Sequence, residues 1–493
     1  MVNAFAGPAL GLVMTPFYLR QIGLDGLGLV GLMVVISSVL GLFIAGASKT
    51  YQRDISTAQE VSPENLSSLV KGGVILFAVL GFILGLIVFT FGHSQIHEMA
   101  QGTNISRESL DRSLVYIALL MTTGVMGGAI SSTLAALRDQ IWPNLFSIGT
   151  SILLAASTWF FLSRWPRVDI FYACQLIGSL AGLSLLTFRL LWLAANTFLK
   201  VPQQSMKEVW NDRLRINGKL AGVLIVHEGL GMIITQIDRI LVTTLLPLSA
   251  LGAYNLGANP ARLATIVTSP INIVTYPELC RLYGRNASRE ETGEYISRVT
   301  FILTLMFAAA MIILITSSKD LLTLWLGPTN LPHETAVCLA ILSCGHLLLA
   351  VAVAFYNVTV VHGRVSYGIY KNIAAILVLP PTGYLATKVW GLPGAAITWL
   401  LYGLVCAAIC GTMVFKRHAD LRAGRKWING SIVAICTAAM VSSILSFTHL
   451  HGWQMIVASC SSSAAFCVIL LTYFFGFNFH AWFHAIELKP VTN

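Results

Sequence analysis

Apolar residues run along this chain in long blocks, not as the single stripe of a soluble amphipathic helix. A helix needs roughly 20 residues to cross ~30 Å of hydrocarbon. Blocks of that scale recur at 3–19, 28–47, 70–92, 113–137, 144–163, 169–193, 219–246, 250–275, 299–316, 336–361, 371–390, 394–415, 430–447 and 454–475. They predict an all-α polytopic membrane protein with about fourteen transmembrane helices. The ten-residue alternating segments of a membrane β-barrel are missing, which leaves helices as the spanning structure. The eleventh block is interrupted by Pro380 and Pro381 and carries Lys388 near its end.

The blocks fall into two groups of six. Residues 1–195 form an N-terminal half, 196–218 a basic linker, 219–415 a C-terminal half, and 416–493 two further helices and a tail. The halves echo each other: "LDGLGLVGL" (24–32) and "LSALGAYNL" (248–256) align Gly28 on Gly252, and the hairpins they belong to end near the aromatic residues Tyr51 and Tyr276. Two related halves suit a bundle that rocks about a central site. The longest connections, 194–218 and 276–298, are too short for a soluble domain, so chemistry belongs within the bundle or at its mouths.

Composition sharpens this picture. Of 493 residues, 56% are hydrophobic and only 11% charged, against about 25% charged in a soluble protein. The net charge of +10 does not indicate nucleic acid, because its distribution explains it. One side collects Lys200, Lys207, Arg213, Arg215 and Lys219 in one loop and Arg281, Arg285, Arg289 and Arg298 in another, while the opposite side holds only Arg20, Arg107, Arg112, Arg164, Arg167, Lys319 and Lys388. This positive-inside bias predicts that both termini are cytoplasmic. The N-terminal block lacks a basic n-region and reads as a first span, not a cleaved signal.

No cofactor is expected. The nine cysteines lie in or beside apolar blocks without a CxxC pair. Cys406 and Cys410 share a helix face but lack the further ligands a metal needs, so they read as small core residues. No Walker lysine motif occurs. The GxG at 26–28 lacks the strand and acidic partner of a dinucleotide site and reads as a close helix-packing element.

The charges inside the membrane carry the functional question. "HEGLGMIITQIDRILVTTLL" (227–246) holds His227, Glu228, Asp238 and Arg239, each costing about 3 kcal/mol at mid-membrane. Asp238 and Arg239 point about 100° apart on a helix. Arg262, on the following span, lies at a comparable depth. Two readings stand open: an Asp238–Arg262 structural lock, or Arg239 and Arg262 lining a cavity that passes an anion, since guanidinium binds phosphate through several donors. Glu228, His227 and Asp238 are candidates for coupling to a proton or sodium gradient, with a hydrogen bond to a neighbouring helix as the alternative for the first two. Arg189, near the cytoplasmic end of span six, either snorkels or binds. Arg53 and Arg281 sit at the cytoplasmic mouth. His346 reads as an interhelical contact, most tryptophans as interfacial anchors, and Tyr18, Tyr254 and Tyr356 as candidate stacking residues.

Five segments carry a family resemblance. "FYLRQIGLDGLGLVGLM" (17–33), "QIDRILVTTLLPLSALGAYNLG" (236–257), "YPELCRLYG" (276–284), "DLLTLWLGP" (320–328) and "GLPGAAITWLL" (391–401) resemble, in the same order, the O-antigen and polysaccharide flippases of the multidrug/oligosaccharidyl-lipid/polysaccharide exporter superfamily. The resemblance covers roughly the first 415 residues and implies a non-enzymatic flippase of the bacterial inner membrane. Its cargo would be an undecaprenyl-diphosphate-linked oligosaccharide, and its partners the lipid bilayer, a polysaccharide polymerase and chain-length proteins. The nearly uncharged N-terminus departs from the family pattern. The alternatives are a cation-coupled multidrug exporter of the same architecture, in which carboxylates should dominate the cavity; a membrane-embedded polymerase or glycosyltransferase, which needs a larger extramembrane loop; and a non-transporting scaffold.

Overall fold

The computed structural model describes residues 2–61, 63–196, 229–231, 233–327, 331–363, 366–448 and 450–475, and these are helical with short connections and no strand. In hydrocarbon a helix satisfies its own backbone, so long apolar blocks have little alternative. Among the described residues, 11 helices are long and apolar enough to cross a membrane.

The blocks read from the sequence reappear with three differences. The first two are one continuous element, α1 (Val2–Val61), bent at Gly23, whose φ of 67° and ψ of −175° break the helix without a loop. A side chain would strain this left-handed backbone, so glycine lets two spans join directly. The seventh block begins outside the described residues, and its long described part is α6 (233–245). The eighth is divided between α7 (Leu248–Ala261) and α8 (Leu263–Gly284). Pro260 lacks the N–H that would continue the ladder, and the break follows at Arg262. The remaining blocks are α2 (Pro63–Met99), α3 (Arg107–Ala136), α4 (Ile141–Leu162), α5 (Val168–Asn196), α9 (Arg289–Leu326), α10 (His333–Val361), α11 (Ser366–Trp390), α12 (Leu392–Arg417), α13 (Arg425–Ser446) and α14 (Trp453–Phe475). Pro380 and Pro381 lie within α11 without ending it.

The helices cluster into two compact units, Met1–Gly252 and Ala253–Asn493, so α6 and the start of α7 group with the first. In that unit α3 packs on α2 and α5, and α4 on α5. In the second unit α10 packs on α9 and α12, and α11 on α12. The same internal pairing thus recurs in each six-span block, as a repeat requires. The first core gathers Tyr51, Ile55, Leu69, Phe77 and Leu134; the second includes Tyr295, Ile296, Phe355 and Val414.

The last two helices belong to the second unit. Ala434, Ala438, Phe466 and Leu470 pack on Leu305, Ala308 and Ile312 of α9. Alongside runs a hydroxyl seam: Thr316 Oγ1 and Ser317 Oγ lie 2.8 and 2.6 Å from Ser459 Oγ, and Ser463 Oγ donates to the Ala309 carbonyl at 2.9 Å. Thr316 also bonds the Ile312 carbonyl of its own helix, whereas Ser317 turns to Ser459 and the Met455 carbonyl. At the start of α9, Ser288 and Glu291 form a reciprocal capping box. Arg289 Nη2 beside it donates to the carbonyls of Phe415, Lys416 and Ala419, closing the end of α12.

Candidate functional site

In the first unit, the second leg of α1, α3 and α5 line an open cavity of about 700 Å³. Its polar groups are the hydroxyls of Ser37, Ser38, Ser48, Ser132 and Tyr172 and the Gln175 amide. Apolar walls come from residues such as Met33, Ile117, Met121 and Phe171. The described lining contains no carboxylate, amine, guanidinium or imidazole. Ser48 and Ser132 are hydrogen-bonded at 2.9 Å, tying α1 to α3 across the cavity. Tyr172 donates to the Leu29 carbonyl at 3.2 Å, fixing α5 to α1 shortly beyond the Gly23 bend.

Part of the α3 wall is made of glycine. Gly124 and Gly128 line the cavity, and a Cβ at either would meet no atom within 4 Å. Glycine in a helix interior costs about 0.5–1 kcal/mol relative to alanine. Here that cost is not offset by close packing; it preserves open volume. The sequence reading missed this wall, although the small-residue run "GVMGGA" (124–129) was its visible trace.

The sequence-derived charges fall in several places. Asp238 and Arg239 are both buried on α6, with Gln236 beside them. Arg239 Nη1 donates to Gln236 Oε1 at 3.0 Å, one turn back on the same helix. Arg262 is exposed at the break between α7 and α8, in the second unit, at the N-terminus of α8. Arg189 donates to Asp139 Oδ2 at 2.6 Å, and its guanidinium lies over the rings of Trp142 and Trp192 at 5.0 and 4.4 Å. This is a structural clamp between the end of α5 and the start of α4. Arg281 is exposed and bonds Glu278 at 2.7 Å, and Arg53 is exposed on α1. His227 and Glu228 lie outside the described residues.

Among the other candidates, His346 sits between α10 and α12 with its ring 5.0 Å from that of Trp399, the interhelical placement expected of it. Tyr254 is fully buried, which removes it as a platform for a sugar. Trp142, Trp165, Trp390 and Trp453 are exposed, as interfacial anchors require.

The second unit holds a smaller recess of about 350 Å³ lined by Tyr283, Asn286, Arg289, His362, Arg417 and His418 among others. The rings of His362 and His418 lie 4.0 Å apart. The two histidines come from the ends of different helices, so no local spacing revealed them. In the first unit, buried Asp169 accepts from Ser109 Oγ at 2.7 Å and from Arg167 Nε and Nη2 at 3.0 and 2.8 Å. The side-chain hydrogen bonds and charge of Asp169 push the Arg167 pKa above its ordinary value.

No family model matches the chain, and no curated protein matches it in sequence. Solved structures do match. A lipid II flippase, MurJ, in an inward closed conformation aligns with TM-score 0.71 and 12% identity over 96% of this chain and 98% of that one. An inward-facing MATE-family multidrug resistance transporter of the MOP superfamily aligns with TM-score 0.61 and 14% identity over 90% and 96%. The MATE multidrug transporter DinF-BH gives 0.57 and 14% over 86% and 94%. At these identities the likeness is one of fold: the chain shares the multi-helix architecture of these membrane proteins.

Proposed function

We propose that the chain is a flippase carrying an undecaprenyl-diphosphate-linked oligosaccharide from the cytoplasmic to the periplasmic leaflet of a bacterial inner membrane by alternating access. The cargo undergoes no covalent change. The observation that carries this reading is the first unit's cavity, which offers hydroxyl and amide groups without a carboxylate among its described lining. Sugars present hydroxyls beside apolar ring faces, which match scattered hydroxyl and amide groups on a mostly apolar wall. An organic cation would instead call for a carboxylate, and this favours the glycolipid over the multidrug alternative. The likeness to a lipid II flippase over 96% of the chain supports the same side.

In this reading the saccharide occupies the cavity while the polyprenyl tail stays in lipid. Arg262, exposed at a helix N-terminus, supplies a guanidinium and a positive dipole end for the diphosphate. Arg239 is a second guanidinium on the pathway, and Arg53 and Arg281 receive the head group at the cytoplasmic mouth. Glu228, His227 or Asp238 couples the cycle to a proton or sodium gradient, and a polysaccharide polymerase with its chain-length proteins takes the delivered unit.

The test is made in the host lacking this gene, by measuring the amount and leaflet of lipid-linked oligosaccharide beside the surface polysaccharide. The expected result is completed glycolipid held on the cytoplasmic side with surface glycan lost. Intact glycan with impaired drug efflux would replace this reading by the multidrug exporter, and unpolymerised units reaching the periplasm would replace it by the polymerase.

A further inference from the structure

In the first unit, two histidines and an aspartate converge where α2 ends and α3 begins. His93 and His97 stand four residues apart on the last turns of α2, hence on one helix face. Asp111 stands opposite them on the second turn of α3. His97 Nε2 is 2.8 Å and His93 Nδ1 3.6 Å from the same oxygen, Asp111 Oδ1, and the donor atoms of all three residues lie within 4.8 Å of one another.

A hydrogen bond accounts for half of this. His97 is at bonding distance from the carboxylate, but 3.6 Å is too long for one, so the second imidazole is aimed at an oxygen it does not bond. A small cation between the three groups explains both rings at once. Zinc binds imidazole nitrogen and carboxylate oxygen at about 2.0–2.2 Å, which places neighbouring tetrahedral ligands about 3.3–3.6 Å apart. The His97 contact is shorter than that edge, the His93 contact lies near its upper end, and all three atoms lie within 4.8 Å of one another, so side-chain rotations would bring them to an ion.

The surroundings keep Asp111 available. Arg112, the adjacent cation, is engaged by Glu108 and lies 3.9 Å from Asp169 on the other side of α3. The side chains of His93, His97 and Asp111 remain 61%, 27% and 51% exposed, so an ion can enter and water can fill a fourth position. Two nitrogens and one oxygen select borderline transition ions over magnesium or calcium, which prefer all-oxygen shells.

The geometry points to a divalent transition-metal site, of the zinc class, formed by His93 Nδ1, His97 Nε2 and Asp111. The bound ion clasps the end of α2 to the start of α3 across their connection, and it is independent of what the cavity carries. The motif H-x3-H is present in the sequence, but its third ligand lies 14 residues on and on another helix.

The test uses the full-length, tag-free protein in detergent, stripped with chelator and titrated with Zn2+ by calorimetry. Because Cys280, Cys436 and Cys460 are exposed thiols that can also take zinc, the comparison is with the H93A/H97A double variant. One Zn2+ per chain more in the wild type than in this variant is expected, with Asp111→Asn weakening that site about tenfold or more. Zn2+ should also raise the melting temperature of the wild type and leave the variant unmoved. Equal zinc binding by the two proteins, both eluting as folded monodisperse species, overturns the site, as does an equal shift in their melting temperatures.

Discussion

Gly28 and Gly252 sit at one crossing of α1 and α7, and each lies against the backbone carbonyl four residues before the other. A methyl on Gly28 would collide with the Leu248 oxygen, and one on Gly252 with the Leu24 oxygen. The pair that aligns in the two repeats is therefore also the pair that meets, with reciprocal contacts. Such closeness is available only where neither residue carries a side chain.

This crossing makes a paired prediction. Gly28→Ala and Gly252→Ala should each cost about 1–3 kcal/mol, the usual range for overpacking, and the similarity of the two losses is the signature of the reciprocal contact. Gly11→Ala on α1, where a Cβ meets nothing within 4 Å, should be neutral or stabilising by about 0.5–1 kcal/mol. Thermal unfolding of the purified variants reads all three. An unchanged melting temperature for Gly28→Ala would refute the crossing.

Filling the cavity should separate folding from transport. Gly128→Leu projects into open space and gains helix propensity of close to 1 kcal/mol. The protein should accumulate and melt normally while export falls about tenfold or more, equivalent to ~1.4 kcal/mol on the rate-limiting barrier. Surface-glycan level normalised to membrane protein is the measurement. Full export would show that the cargo passes elsewhere.

The Arg189 clamp should behave in the opposite way. Asp139→Ala leaves a half-buried guanidinium between two indoles without its carboxylate, at a cost of about 1–2 kcal/mol. Arg189→Ala should cost a similar amount, and the double variant little more than either alone, because the two losses share one interaction. Export per folded molecule should stay close to wild type. A strong export defect at full stability would move Arg189 from structure to binding.

Arg262 tests the anion pathway. Arg262→Ala should impair export with normal protein level, and Arg262→Lys should restore it in part, since an ammonium keeps the charge but loses the multiple donors of guanidinium. Undiminished export by the alanine variant would remove Arg262 from the pathway.

The spans were legible in the sequence because hydropathy is a property of each block by itself. The joined first two spans were less so: Gly23 lies in "RQIGLDG", which reads as a turn, and only the backbone shows that the helix resumes at once. Pro260 marked a break inside the eighth block, but the blockwise reading passed over it. The charges were visible, their partners were not. Arg189 is bound by Asp139, 50 residues earlier, and neighbours of that kind depend on packing, not on spacing. The cavity was hardest to see, since Ser37, Ser132 and Gln175 are ordinary singly and become a site only when three helices bring them together.

The hydroxyl seam between α9 and α14 bears on how such a chain can be shortened or inherited. A version truncated after α12 would turn Ser317 toward acyl chains with neither Ser459 nor the Met455 carbonyl to receive its proton, and hydrocarbon offers no substitute. The final hairpin and the face of α9 that meets it thus form a matched set: losing one in a lineage would leave the other's hydroxyls to the carbonyls of their own helix, the bond Thr316 already makes.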